Sequence, residues 1–194
     1  YKIDKTEDDA APYTVTLSVD TGPAFTIESY DVVWQSAAGR KTAAPEGVNT
    51  RRLLRKIKGQ PATPAVILDR EREILDALKQ NGYPLPEVFE RKVVVDHATQ
   101  KAQVTLVLGS GMKASFGPVA LQGHEAVREA FIRRRVGWQE GDLFDIGKVV
   151  DTRKRLLQTG LFSSVEIGLA ARAGADSVPA TLQVAERKPR TIGA

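Results

Sequence analysis

The side chains in this sequence that could do chemistry are few, and none of them stands in a catalytic pattern. The 194 residues contain two histidines, His97 and His124, and no cysteine. The histidines lack a metal-ligand spacing such as His-x-x-x-His, so neither indicates a metal centre. Without cysteine there are no disulfides, thiol chemistry or cysteine-containing metal sites. We expect no cofactor.

Two carboxylates and two hydroxyls are the remaining candidates. Asp142 and Asp145 stand close together in the sequence, but the N-terminus of a helix favours acidic residues without any catalytic role. Ser163 and Ser164 lack the strand-to-helix context of a nucleophile elbow. The sequence therefore predicts a protein that is not an enzyme.

Composition points to a globular chain with a mildly basic surface. The formal net charge is +4 and 42% of the residues are hydrophobic. No apolar run approaches the ~18 residues that a membrane-spanning helix requires. Mild attraction to anionic partners follows from the charge, although acidic residues are interspersed with the basic ones, as on an ordinary solvated surface.

One segment of the chain occurs twice. Leu-Lys-Gln-Asn-Gly-Tyr at residues 78–83 returns as Leu-Leu-Gln-Thr-Gly-Leu at residues 156–161, and Gly59 returns as Gly137 at the same offset. A period this long indicates a small structural unit used twice. Tandem units of this kind usually present surfaces to partners.

The same order of elements is predicted in both units, strand-helix-helix-strand-strand. In the first, Asn49 caps a short basic helix that ends at Gly59, and Thr63 with Pro64 begins a longer helix that ends at Gly82. Its strands are predicted over residues 25–34, 88–95 and 102–108. The second unit has strands at 116–121, 165–169 and 182–184, a helix over 125–135, and a helix over about 145–159 with Ile146, Val149, Val150, Leu156 and Leu157 inward.

Two helices on one face of a three-stranded sheet make each unit an α+β sandwich. Residues 1–22 contain extended segments and no helix, so we expect them to be the closing hairpin of a preceding unit.

These motifs resemble the POTRA (polypeptide-transport-associated) domain. The match is carried by Gly141-Asp142 before the long helix and by the run from Leu156 to Val165 after it. The ending at residues 184–193, Val-Ala-Glu-Arg-Lys-Pro-Arg-Thr-Ile-Gly, resembles the junction between a last POTRA domain and the first strand of an outer-membrane barrel. The resemblance implies four segments: 1–22, the C-terminal hairpin of a preceding POTRA domain; 23–110 and 111–188, two POTRA domains; and 189–194, a linker into a barrel.

By this resemblance the chain is the periplasmic part of an outer-membrane protein assembly factor. Its implied partners are unfolded outer-membrane proteins or autotransporter strands, an inner-membrane-anchored partner subunit, and its own barrel and membrane surface. In the resembled family the strand after the second helix is a sheet edge that can accept an added strand. That strand contains Val93, Val94 and Val95 in one unit, and Val165, Glu166 and Ile167 in the other.

Two details qualify these expectations. Pro84 and Pro86 lack amide donors, so the first edge strand should begin late, near Val88. The basic tail Arg187, Lys188 and Arg190 would lie at the rim of the barrel, where it could pair with acidic turns or lipid headgroups, or form a solvated linker.

Nucleic-acid binding is the alternative interpretation. The short helices are basic, and a helix pair on a small sheet resembles the KH domain, which grips single strands through a Gly-x-x-Gly loop. The corresponding loops here begin at Gly59 and Gly137 and do not have that pattern. We therefore expect no nucleic-acid partner.

Overall fold

The computed structural model describes residues 23–187. The hairpin expected over residues 1–22, the linker expected over 189–194, and the basic residues Lys188 and Arg190 lie outside the described residues. Within residues 23–187 the α+β prediction is confirmed: the chain forms two three-stranded mixed sheets, each with two helices.

In the first unit, the last strand in sequence occupies the centre of the sheet. The strand order is β1-β3-β2, with β1 parallel and β2 antiparallel to β3. The strand β2 begins one residue before Val88, as the two prolines predict. The elements are β1 (Thr26–Trp34), α1 (Thr50–Leu54), α2 (Pro64–Gln80), β2 (Glu87–Asp96) and β3 (Lys101–Gly109).

The second unit repeats this topology. Its order is β4-β6-β5, with β4 parallel and β5 antiparallel to the central β6. The elements are β4 (Ser115–Gln122), α3 (Glu129–Arg133), α4 (Ile146–Gln158), β5 (Phe162–Leu169) and β6 (Ser177–Glu186). Two units with one topology explain the sequence period.

Helix starts lie where the capping residues predict them, but α1 ends at Leu54 and residues 55–59 form turns, so the end predicted at Gly59 is wrong. The side chain of Asn49 accepts from the N–H of Arg52 at 3.0 Å, and that of Thr63 accepts from the N–H of Val66 at 3.4 Å. Asp145 caps α4 through the N–H of Gly147 at 2.7 Å. These side chains satisfy N–H groups that have no partner inside the helix.

Two further details of the helices differ from the prediction. The helix expected over 125–135 is shorter, because α3 covers only Glu129–Arg133 and residues 125–127 form bends. In α4 the buried face is narrower than expected. It consists of Val149, Thr152 and Leu156, while Val150 and Leu157, predicted to point inward, are 59% and 36% exposed.

The junction between the units is built on close backbone contacts. The N–H of Ala114 donates to the carbonyl of Gly82 at 2.8 Å, and Lys113 pairs with Glu46 at 2.8 Å. Gly111 has φ of +70° and lies directly under Leu85, so that a Cβ at this position would stand 2.5 Å from the Leu85 carbonyl oxygen. The linker therefore needs a glycine at this position.

Substituting Gly111 should destabilise the protein more than positive φ alone explains. Gly160→Ala is the matched control, because Gly160 has φ of +73° and nothing within 4 Å of an added Cβ. The control should cost about 1–2 kcal/mol for the left-handed conformation. Gly111→Ala should cost more, since the Leu85 backbone must also move. Urea unfolding of both variants measures the difference, and equal costs would contradict this account of the junction.

Candidate functional site: two outer sheet edges

The outer edge of β2 carries backbone groups that no neighbouring strand among residues 23–187 uses. The carbonyl of Gln100, just before β3, accepts from the N–H of Thr26 in β1, and that of Leu108 in β3 accepts from the N–H of Gln35, just after β1. The even-numbered residues of β3 therefore face β1. Its odd-numbered residues therefore face β2, and Val94 is paired with one of them, Gln103. Because the N–H and C=O groups of successive residues point to opposite sides of a strand, those of Val93 and Val95 point away from the sheet.

The side chains of β2 are also open to solvent. All ten residues of this strand are exposed. Val93 and Val95 lie opposite the buried Val104 and Ala102, hence on the helix face of the sheet, yet they remain 43% and 42% exposed. The strand thus offers both backbone groups and an apolar strip.

One ion pair connects this strand to α2. The guanidinium of Arg91 makes two hydrogen bonds of 2.7 Å to the carboxylate of Glu71. Glu71 lies on the buried face of α2, where a carboxylate requires such a partner. This paired geometry is the strong form of the interaction and holds β2 at a fixed distance from the helix.

The edge of β5 has the same orientation but is partly occupied. The N–H of Ala170 donates to Pro179 on β6 at 2.9 Å, and by alternation Val165 and Ile167 point their backbone groups outward. The guanidinium Nε of Arg153, on α4, donates to the outward carbonyl of Val165 at 3.0 Å. One acceptor of this edge is therefore already satisfied by a side chain.

The helix also covers the inner face of β5. Val165 is only 1% exposed and Ile167 is half-buried, because α4 packs directly against β5. Glu166 is exposed and lies opposite Gln183 of the central strand. The two edges therefore differ. The β2 edge is open, because its outward backbone groups and its side chains are both exposed. The β5 edge is guarded, because Arg153 binds an outward carbonyl and α4 covers the inner face.

The structure places the predicted edge residues on two separate strands and does not bring them together. Val93, Val94 and Val95 belong to the outer strand of one sheet, and Val165, Glu166 and Ile167 to the outer strand of the other. Of the basic tail, only Arg187 is described. Its side chain is exposed and its N–H donates to the carbonyl of Leu161 at 2.7 Å, which extends the β5–β6 ladder by one pair.

Glu186 is an important residue that the sequence did not reveal. Its carboxylate, at the end of β6, accepts hydrogen bonds from the consecutive N–H groups of Glu125, Ala126 and Val127 at 2.8–3.1 Å. These bonds hold residues 125–127 in bends and explain why α3 begins late. Hydrogen bonds from these N–H groups lower the pKa of Glu186.

Two of the side chains considered for catalysis, His97 and Asp142, make contacts that belong to the fold. His97 lies in the β2–β3 turn with its ring edge-on to Phe25. Asp142 accepts from the N–H of Gln139 and from Lys148, and these bonds lower its pKa. Over residues 23–187 there is no group of three or more histidine or acidic side chains that could hold a metal ion. In the same range, no helix has the length and apolarity to span a membrane.

Comparisons with known proteins give this geometry a family context. Residues 114–187 match the POTRA family model, described as "Surface antigen variable number repeat". The crystal structure of Haemophilus influenzae BamA POTRA3-5 aligns with a TM-score of 0.69 and 23% identity, over 95% of this chain and 71% of that chain. The chain has the POTRA fold.

A second solved structure supports the same conclusion. BamA from Haemophilus ducreyi lacking POTRA domains 1–3 aligns with a TM-score of 0.69 and 19% identity, over 84% of this chain and 30% of that chain. In both units of this chain the antiparallel strand after the long helix lies at the edge of the sheet.

Protonating Glu186 should destabilise the second POTRA unit. Because the folded-state pKa is lowered, the stabilisation is present above the ordinary glutamate pKa of about 4.3 and is lost as pH falls through the folded value. Glu186→Gln should therefore lower the unfolding midpoint at neutral pH and flatten its decline in acid. Glu125→Gln removes a nearby charge and keeps the three N–H groups, so it should behave like the parent protein. Identical acid profiles for parent and Glu186→Gln would refute this role.

Proposed function

We propose that this chain is a non-catalytic binding module that receives extended polypeptide segments at its sheet edges, chiefly at β2. A strand added to an edge binds through backbone hydrogen bonds, so it can be recognised largely without regard to its sequence. The observation that carries the proposal is the outer side of β2, where the backbone groups of Val93 and Val95 face outward beside exposed apolar side chains.

The expected affinity is low. The outward side of β2 offers three N–H donors and three carbonyl acceptors. They belong to the alternate residues Arg91, Val93 and Val95. Each bond contributes about 0.5–1.5 kcal/mol net, and association itself costs an estimated 4–15 kcal/mol. Side-chain contacts between the guest and the apolar strip must therefore supply part of the binding free energy. Such weak and reversible binding suits a module that passes its guest onward.

The β5 edge, with Val165, Glu166 and Ile167, is the second receiving strand in this proposal. A guest strand that pairs with Val165 must first displace the guanidinium of Arg153 from the carbonyl. Since α4 already covers the inner face, the guest gains little apolar contact there. We therefore assign β2 the larger share of strand binding.

The POTRA fold and the sequence of the tail support a proposal for the cellular role. We propose that residues 23–110 and 111–188 are two periplasmic POTRA domains of an outer-membrane assembly factor that feeds a barrel insertase. Guests would be unfolded outer-membrane proteins or autotransporter strands, and an inner-membrane-anchored subunit would be a further partner. The resemblance of residues 184–193 to a POTRA–barrel junction supports assignment to TamA, the outer-membrane subunit of the translocation and assembly module, rather than to a sister factor. In that setting Arg187, Lys188 and Arg190 would be the basic tail at the periplasmic rim of the barrel, near the membrane surface.

A KH-like nucleic-acid module is the competing function, and one titration separates the two. If the chain bound single-stranded RNA with submicromolar affinity that fell steeply with salt, the strand-receiving role would lose its support. We expect no such binding.

Proline in β2 tests the receiving edge directly. Val93→Pro removes an outward N–H and keeps the β2–β3 ladder, so the fold should persist while binding weakens. Binding of a urea-denatured outer-membrane barrel protein, diluted into buffer with the chain, should fall at least about tenfold, equal to 1.4 kcal/mol. The measurement is the equilibrium affinity by fluorescence anisotropy.

Two controls make the result specific. Val94→Pro removes an N–H that faces β3, so it should lower the unfolding midpoint as well as binding. Ile167→Pro alters the guarded edge and should have the smaller effect on binding. If Val93→Pro binds like the parent protein, β2 is not the receiving edge.

A further inference from the structure

The outer face of α4 carries two apolar side chains that the fold does not use. Val150 and Leu157 are 59% and 36% exposed, beside a buried stripe of Val149, Thr152 and Leu156 that already packs the helix onto its sheet. They are seven residues apart, which places them two turns and about 10 Å from each other along the helix. They form an apolar stripe directed toward solvent.

The first unit has charged residues at the equivalent positions. The sequence period aligns Val150 with Arg72 and Leu157 with Lys79 on α2. Arg72 is well exposed and pairs with Asp69, as on an ordinary solvated helix face. The apolar stripe is therefore a property of the second unit and not of the fold.

Cations lie between and beside these apolar side chains. A shallow depression of about 440 Å³ is lined by Val150, Arg153, Lys154, Leu157 and Gln158. A second depression, of about 430 Å³, shares Val150 and Arg153 and extends to Glu166 and Ile167. One continuous surface thus runs over α4 to the β5 edge, with two cations and one acid among its lining residues.

The guanidinium of Arg153 is held in place at this surface. Its Nε donates to the Val165 carbonyl at 3.0 Å, and within residues 23–187 its other two nitrogens have no hydrogen-bond or ion-pair partner. An arginine fixed through one nitrogen is well placed to bind a carboxylate through the others. The same bond disfavours an added strand at Val165, so an extended occupant fits poorly.

We propose that this face of α4, defined by Val150, Arg153, Lys154 and Leu157, docks an acidic amphipathic helix of a partner protein. Two apolar anchors of the partner, two turns apart, would pack on Val150 and Leu157, and acidic residues between them would pair with Arg153 and Lys154. This interface is separate from the β2 edge. The second unit would thereby hold a folded partner while the first receives extended guests.

The probe that tests this is a fluorescein-labelled, alanine-rich helical peptide. It carries two leucines two turns apart with two glutamates between them on the same face, and a control peptide has lysines in place of the glutamates. The 194-residue chain should bind the acidic peptide, more weakly as salt rises, and at least about tenfold more tightly than the basic one. Charge reversal by Arg153→Glu with Lys154→Glu should invert this preference.

Matched variants locate the binding. Val150→Arg with Leu157→Lys gives α4 the residues that α2 has at these positions, and should weaken binding at least about tenfold with an unchanged circular dichroism spectrum. Arg72→Ala with Lys79→Ala, and separately Val93→Pro, should leave binding unchanged. No binding of the acidic peptide, equal binding of both peptides, an unaffected Val150/Leu157 variant, or loss of binding in Val93→Pro would each overturn the proposal. Because the Val93→Pro variant tests guest binding in its own assay, failure of one proposal is distinguishable from failure of the other.

Discussion

The pairing of backbone hydrogen bonds in a three-stranded sheet is the constraint on which this molecule depends. In each unit the last strand, β3 or β6, enters between the other two and satisfies its groups on both sides. The outer antiparallel strand can satisfy only one side, and its remaining groups must face water, a side chain or another chain. The topology that completes the fold therefore also creates an edge with unpaired backbone groups.

The two units deal with this edge in different ways. In the first, α2 reaches β2 mainly through the Glu71–Arg91 ion pair, which leaves Val93 and Val95 exposed. In the second, α4 packs on β5, buries Val165, and uses Arg153 to occupy an outward carbonyl. The change from an open edge to a guarded one thus comes from helix residues and not from the strands themselves. Two units of the same topology therefore present different sheet edges.

Local rules predicted much of the fold and little of what distinguishes the two edges. Asn49, Thr63, Pro64 and Gly82 mark helix ends through side-chain and backbone preferences that act within a few residues. Glu186, by contrast, accepts hydrogen bonds from N–H groups about sixty positions earlier in the chain. No local pattern reveals this contact, so the sequence predicts the start of α3 four residues too early. Periodicity places Val150 and Leu157 on the inward face, although they are exposed, because periodicity does not give the width of the stripe that the sheet covers. The sequence repeat does indicate that these two positions face solvent, because the equivalent positions on α2 carry the charged residues Arg72 and Lys79.

Amide hydrogen exchange at β2 tests the open edge most directly. In the free protein the amides of Val93 and Val95 should exchange much faster than the amide of Val94, whose residue faces β3. Saturation with a synthetic peptide of alternating apolar and polar residues should slow exchange at Val93 and Val95 and leave Val94 unchanged. Equal protection of all three amides in the free protein, or unaltered exchange at Val93 and Val95 with the peptide bound, would contradict the account.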